Sequence, residues 1–337
     1  ILPRARRRGD AMSAARIAVV VPVYNAGEYL PLCLASLAAQ SFADFAAILV
    51  DDGSTDGSAA VCDQWAARDA RFRVLHLPNG GPAAARAAGV RAAQCEYLAF
   101  CDADDLLHPA FLQTLLHAAE TSLLPIACCR FDTFSDAPAL NADPPKTYRE
   151  LLDPQHLDAL LHDHAVDYSL CNKLYDAALL MPDLLDNGLT HNEDLLANWR
   201  AFLQAPGIAF CDFAGYHYRQ HGGSSSHRAL TAAEIGDHLT AARAVRDSAP
   251  PSMQGSAGAF YYEKLAYLAS RILRRPHDAA LDAPLGSLRA ELRAGLRDPL
   301  LGANPRLPKA VRLAALASVC APGAARLLFG LMLRDRQ

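Results

Sequence analysis

Tyr97-Leu98-Ala99-Phe100-Cys101-Asp102-Ala103-Asp104-Asp105-Leu106-Leu107 is the stretch from which the fold can be read. Its first half, Tyr97 to Cys101, is an apolar run of the kind that forms a buried strand. The run ends in three carboxylates within four positions. Folding alone has no use for such a cluster, because neighbouring acids raise one another's pKa unless a cation holds them. Hard oxygen ligands suit Mg²⁺ or Mn²⁺, which commonly bind through one or two carboxylates plus substrate phosphates. The stretch therefore predicts a metal–diphosphate site at the carboxyl end of a parallel strand, where open α/β sheets place their ligands. The bland alternative is an acidic turn capping a helix that begins near Pro109.

Upstream, the same arrangement repeats. Arg16 to Pro22 is a continuous apolar run of parallel-strand type, stopped by Pro22-Val23-Tyr24-Asn25. Asn25 and Glu28 have the spacing of a capping box, and Tyr29, Cys33, Leu34 and Leu37 give the next helix one apolar face. Ala46 to Val50 reads as a second strand, ending in Asp51-Asp52-Gly53-Ser54-Thr55-Asp56-Gly57-Ser58. Phe72 to Leu77 reads as a third, closed by Pro78-Asn79-Gly80-Gly81-Pro82 and followed by an alanine-rich helix over 83–93 that carries Arg86. Strand–turn–helix repeats over 110 residues imply right-handed crossovers and a parallel sheet covered on both faces. Both acidic clusters and the Pro22–Asn25 turn would then converge on one rim.

Composition narrows the class of protein. Of 337 residues, 52 % are hydrophobic, enough for a large core and for two domains or one with an appendage. The net charge of -4 is uneven: from Lys264 onward 13 Lys/Arg face 5 Asp/Glu, a local +8 that leaves -12 for residues 1–263. An acidic front argues against nucleic acid as a partner, and a basic tail points to an anionic surface. Nine scattered cysteines, without zinc-ligand spacing and odd in number, read as reduced core residues of a cytoplasmic protein. Residues 1–15 hold four arginines and lack the apolar core of a signal peptide; they are expected to be a disordered extension, with Met12 as a candidate start.

Two nucleotide folds fail at these turns: no Gly-x-Gly-x-x-Gly follows the first strand, and no Gly-Lys-Ser/Thr occurs. The ordered set Val21-Pro22-Val23-Tyr24-Asn25, Val50-Asp51-Asp52-Gly53-Ser54-Thr55-Asp56, Asn79-Gly80-Gly81-Pro82 with Arg86, and Phe100-Cys101-Asp102-Ala103-Asp104-Asp105 resembles the family 2 glycosyltransferases. These have an α/β GT-A fold, with a Rossmann-like, mostly parallel sheet, and transfer a sugar from a nucleotide diphosphate. The resemblance covers Ile17 to about Ser226. One departure is Ala87-Ala88-Gly89, where the family commonly continues Arg-Asn-x-Gly.

The resemblance implies roles. Pro22, Tyr24, Asn25, Asp51, Asp52 and Asn79 would surround the nucleotide, with Asp52 accepting from a uracil ring N–H. Arg86 would pair with the nucleotide or with Asp52. Asp102-Ala103-Asp104 would be the family's Asp-x-Asp, with Asp104 the nearer ligand to Mn²⁺ or Mg²⁺ and Asp102 on ribose or metal. Lys173, in Asn172-Lys173-Leu174-Tyr175, would meet donor phosphate or acceptor. Asp194, in Thr190-His191-Asn192-Glu193-Asp194, would be the base that takes the acceptor's proton, with Glu193 the runner-up; a helix start there would keep the acid ionised, and Asn192 would cap it. Tyr216-His217-Tyr218-Arg219-Gln220-His221 leads into a glycine–serine loop; Arg219 would reach the diphosphate and His221 the metal shell.

Residues 16–230 are thus expected to form the catalytic domain and residues 231–337 a helical region. The tail divides into amphipathic segments near 231–248, 258–274, 285–297 and 308–332. Its longest uncharged run, Leu313 to Ala325, is far short of the about 20 residues that span a bilayer. Its interleaved arginines suit a membrane surface, while docking on the catalytic domain or forming a homodimer are the alternatives. The expected activity is inverting transfer from a UDP-sugar to a glycan or lipid-linked acceptor in surface polysaccharide synthesis, at the inner face of the cytoplasmic membrane. The rivals are an inactive sugar-nucleotide-binding module and an Asp-x-Asp phosphohydrolase.

Overall fold

A computed structural model of the chain describes residues 15–135, 138, 143–221, 230–297 and 309–320. The expected N-terminal extension (but for Ala15), the glycine–serine loop after His221 and much of the last tail segment lie outside the described residues. So does most of the proline-rich stretch 136–146.

The chain alternates β1 (Ile17–Val23), α1 (Leu30–Ala38), β2 (Phe45–Asp52), α2 (Ser58–Arg68), β3 (Phe72–Leu77), α3 (Pro82–Ala92) and β4 (Tyr97–Phe100). These four strands run parallel in the order β3-β2-β1-β4. All but one residue of β1 and all of β2 are buried, which is why these strands read as unbroken apolar runs. The order reverses between β1 and β4, and a crevice opens there beyond the strand ends.

β5 (Leu106–Leu107), α4 (Phe111–Ser122), β6 (Ile126–Phe134), β7 (Arg149–Leu152), α5 (Gln155–His162), β8 (Lys173–Asp176), α6 (Pro182–Leu185), α7 (Glu193–Gln204) and β9 (Gly207–Arg219) complete the α/β part. Beyond the parallel block the sheet becomes mixed. β8 lies antiparallel to both β4 and β6, and β9 runs parallel to β6 but antiparallel to β5 and β7. A strand buried on both faces reads the same whichever way its neighbours run, so the pattern could not set direction. The long β9 carries Tyr216 and His217 back beside Leu107 and Leu106, directly after the acidic cluster.

The tail forms α8 (Ala232–Ser248), α9 (Gln254–Leu273), α10 (Asp282–Leu296) and α11 (Lys309–Cys320). It packs on the α/β part: α8 against α7, and α9 against α5. Trp199 Nε1 donates to Ser248 Oγ at 2.9 Å and Lys264 Nζ to the Tyr168 hydroxyl at 3.0 Å. Among the described residues no helix is long and apolar enough to cross a membrane.

Candidate active site

The loops that leave β1, β2 and β3 are stapled to one another by their own polar groups. Asn25 Oδ1 accepts from Thr55 N at 2.7 Å, while Asn25 N and Gly27 N donate to Ser54 Oγ and Asp56 Oδ2. The capping box expected of Asn25 and Glu28 is therefore absent. Asn25 sits at φ 49° bridging two loops, and α1 begins five residues later behind Tyr29. Asp52 joins the next pair, its two oxygens accepting from Gly80 N and Gly81 N, each at 2.8 Å. Gly53 makes this approach possible: it has φ +73°, and a Cβ there would lie 2.9 Å from Asn79 N. Asp51 is committed to Ser54 N and His76. Beyond this frame Tyr24 stands 53 % exposed, beside partly exposed Pro22 and exposed Asn79.

The acidic cluster after β4 splits into three environments. Asp102 and Asp104 are partly exposed, with Ala103 buried between them. Asp105 is fully buried and accepts from the Tyr216 hydroxyl and from Arg219 N. Burial and the nearby Asp102 and Asp104 charges push its pKa well above the carboxylate range. Asp105 thereby ties the end of β9 to the acidic turn. Arg219, 5 % exposed, donates from Nε to Asp104 O and lies over the rings of Tyr29 and Phe134. His221 Nε2 is 2.9 Å from Asp104 Oδ2, and its ring packs on Tyr29.

Arg86 connects this rim to the second acidic pair. It is 8 % exposed, donating from Nη2 to Asp102 Oδ1 and from Nη1 to Glu193 Oε1, both at 2.9 Å. The expected pairing with Asp52 is not made, because Asp52 is held by the Gly80–Gly81 amides. α3 places Arg86 by lying unusually close to the sheet: a Cβ on Gly89 would come within 2.4 Å of Val20 Cγ1. Asp102, Arg86 and Glu193 thus form one chain of charge, bringing the rim and the start of α7 together across 107 residues of sequence from Arg86.

At α7 two expectations are corrected. Asn192 occupies the N-cap position but at φ 60°, and its side chain makes no capping bond. Asp194 is not held ionised by the helix start. Burial first, then the Glu193 charge, raises its pKa to about 7, against the opposing pull of Arg86 and Leu195 N. Lys173 is also corrected: it is fully buried, and its ammonium donates to Val166 O, Asp167 O, Ser169 O and Asn172 Oδ1 at 2.7–2.9 Å. It shapes the 166–172 loop and is out of reach of a phosphate.

Sequence reasoning missed Asp105 as a hub with Tyr216 as its partner, Tyr29 as the ring against which Arg219 and His221 pack, and the tail residues Asp237 and His238 described below. No local signal marks them, since each acts on a partner far away in the chain. Among the described residues no three or more His, Cys, Asp or Glu are grouped to hold a metal by themselves. An open cavity of about 630 Å³ lies elsewhere, between α5 and the start of α9, and contains none of these residues.

A doubly wound α/β fold with a stapled carboxylate rim at its topological switch point defines the GT-A class, here extended by C-terminal helices. Residues 18–181, just under half of the chain, match the profile of glycosyl transferase family 2. It is 33 % identical over 213 residues to the uncharacterized glycosyltransferase EpsJ of Bacillus subtilis (strain 168), covering 61 % of each protein. The chain thus spans less than two thirds of that relative's length. Its fold resembles S. aureus TarS 1–349, solved in complex with UDP-GlcNAc, at TM-score 0.63 and 21 % identity over 94 % of this chain and 90 % of that one. It also resembles the mannosyltransferase PcManGT of Pyrobaculum calidifontis, solved with GDP-Man and Mn²⁺, at TM-score 0.51 and 17 % identity over 96 % and 89 %.

Proposed function

We propose that this chain transfers a sugar, with inversion, from a nucleotide-diphospho-sugar to a hydroxyl of a glycan or lipid-linked acceptor. The observation that carries the reading is the Asp102–Arg86–Glu193 bridge, which ties the turn that carries Asp194 to the rim that would hold the diphosphate. Tyr24 offers an exposed ring for a base to stack on. Asp52 has lone pairs left over from Gly80 and Gly81 for a uracil N–H, which favours a UDP-linked donor. Arg219, whose buried Nη2 has no hydrogen-bond partner among the described residues, supplies cationic charge next to Asp104.

Asp104, a partly exposed carboxylate, is the kind of oxygen donor that suits Mn²⁺ or Mg²⁺, and His221, whose Nε2 lies 2.9 Å from it, would be the second protein ligand. Two protein ligands leave the remaining positions for phosphate oxygens, as such ions prefer. When bound, the ion offsets the charge gathering on the departing diphosphate. Asp194 takes the acceptor proton as the hydroxyl oxygen bonds to the anomeric carbon. The bond from that carbon to the diphosphate oxygen breaks on the opposite face, and UDP leaves with the electron pair. A carboxylate with pKa about 7 is matched to this task, basic enough to accept the proton and about half ionised at neutral pH. Glu193, locked to Arg86, is the poorer base.

The tail favours work at the inner face of a membrane. α11 buries Ala315 and Val319 and leaves Leu313 and Leu316 exposed among basic residues. The reading is tested by UDP release from a panel of UDP-sugars with Mn²⁺. Release by the wild type that falls to background in Asp194→Asn and in Asp104→Ala is expected. UDP binding with no release from any donor or lipid-linked acceptor would sink transfer and leave an inactive binding module.

A further inference from the structure

The turn that delivers Asp194 is only partly held by its own neighbours, through Asn187 Nδ2 donating to Glu193 O at 2.9 Å. Asn192 lies in the left-handed region at φ 60°, which costs a non-glycine residue on the order of 1 kcal/mol, and its own side chain makes no capping bond to the helix start behind it. The bonds that offset this come from α8, outside the family-matched segment. Asp237 Oδ2 accepts from Thr190 N at 3.0 Å and His191 N at 3.2 Å, and lies 3.4 Å from His191 Nδ1. Asn192 Nδ2 donates to His238 Nδ1 at 2.7 Å, which requires a neutral imidazole. α8 is itself pinned to α7 through Trp199 and Ser248, and to α9 through Glu234 and Arg271. Three consecutive residues before the acidic pair are therefore held by two consecutive residues of the tail.

We propose that Asp237 and His238 are positioning residues for sugar transfer: the helical tail clamps the 190–192 turn so that Asp194 faces the rim. The proposal rests on Asp194 being the base. It gives the tail a part in the reaction apart from any contact with a membrane, and it predicts that the α/β part alone turns over poorly.

The test uses the full chain, UDP-sugars with Mn²⁺, and UDP release as the readout. Asp237→Ala should lower kcat roughly 10- to 100-fold, the scale of a reacting group displaced by about 1 Å. Donor KM should stay within about twofold, because Tyr24, Asp52 and Asp104 are untouched. Asp237→Asn keeps an oxygen acceptor and should recover most of the rate. Hydrogen exchange should speed up at Thr190 and His191 in Asp237→Ala and much less in Asp237→Asn. The clamp is overturned if exchange there speeds up while kcat stays within twofold. It is also overturned if the fall in kcat comes with an equal rise in donor KM that Asp237→Asn does not rescue. A wild-type rate in Asp194→Asn would overturn the base assignment, and the clamp with it.

Discussion

Asp56 on the strand rim and Asp194 on the base helix carry the same side chain, and their surroundings drive it in opposite directions. Burial pushes Asp56 up, but hydrogen bonds from Ser58 and from Gly27 N overcome it and hold the acid below the usual carboxylate range. Asp51 behaves likewise, its burial outweighed by His76 and Ser54. Asp194 has one short backbone donor, Leu195 N at 2.8 Å, set against burial and a neighbouring glutamate, and its pKa climbs to about 7. Hydrogen bonds to the charged form keep a carboxylate a structural staple; withholding them makes it a base. The rim gets its donors from adjacent loops, whereas the base turn is held from a helix that follows the whole sheet.

The contrast breaks most readily at Asp194. Asp194→Asn should cut UDP release by roughly 10²–10⁴, the usual worth of a general base, whereas Asp56→Asn should act mainly on stability. Comparable losses of rate in the two variants would erase the distinction. Next comes the bridge. Arg86→Ala leaves Asp102 and Glu193 facing each other without their shared cation, and should cost about 3 kcal/mol in a denaturant melt as well as activity. Arg86→Lys, a point donor that cannot span both acids, should recover only part of either loss.

The pH dependence sharpens the comparison further. Transfer needs Asp194 ionised, so kcat/KM should rise tenfold per pH unit below about 7 and level off above it. A plateau reaching down to pH 5 would show that Asp194 is held ionised as Asp51 and Asp56 are. The smallest effect is on stability. The folded pKa lies above the unfolded value of about 3.9, so the unfolded chain ionises first. Asp194 therefore costs stability increasingly as pH rises from about 4 to 7, and fully above that. Asp194→Asn should accordingly be more stable at pH 8 by about 1–2 kcal/mol, allowing for the solvent at its edge, with the gain fading towards pH 4. Thermal melts of both proteins across that range would check the sign.

Much of the rim was legible because it is local. Each acid cluster follows its strand directly, and alternation of strand and helix brings such ends together in any right-handed parallel arrangement. The start of α7 was legible as chemistry, an acidic pair ahead of an amphipathic helix, but the state of those acids was not. Lys173 shows the limit in the other direction: an isolated lysine in a polar-looking motif is, in the fold, a fully buried ammonium filled by four oxygens. No pattern in the sequence marks a side chain as already spent.

What the chain determined by itself is therefore the order of elements along it, a parallel sheet built from the first four strands and the acids placed at strand ends. These follow from period, turn chemistry and nearest-neighbour connection. The tertiary structure alone decided the antiparallel insertion of β8, the reach of Arg86 from Asp102 to Glu193, the rise of Asp194 and the grip of α8 on its turn. Those depend on desolvation and on partners brought together from distant parts of the chain, and such energies exist only once the chain has closed around them.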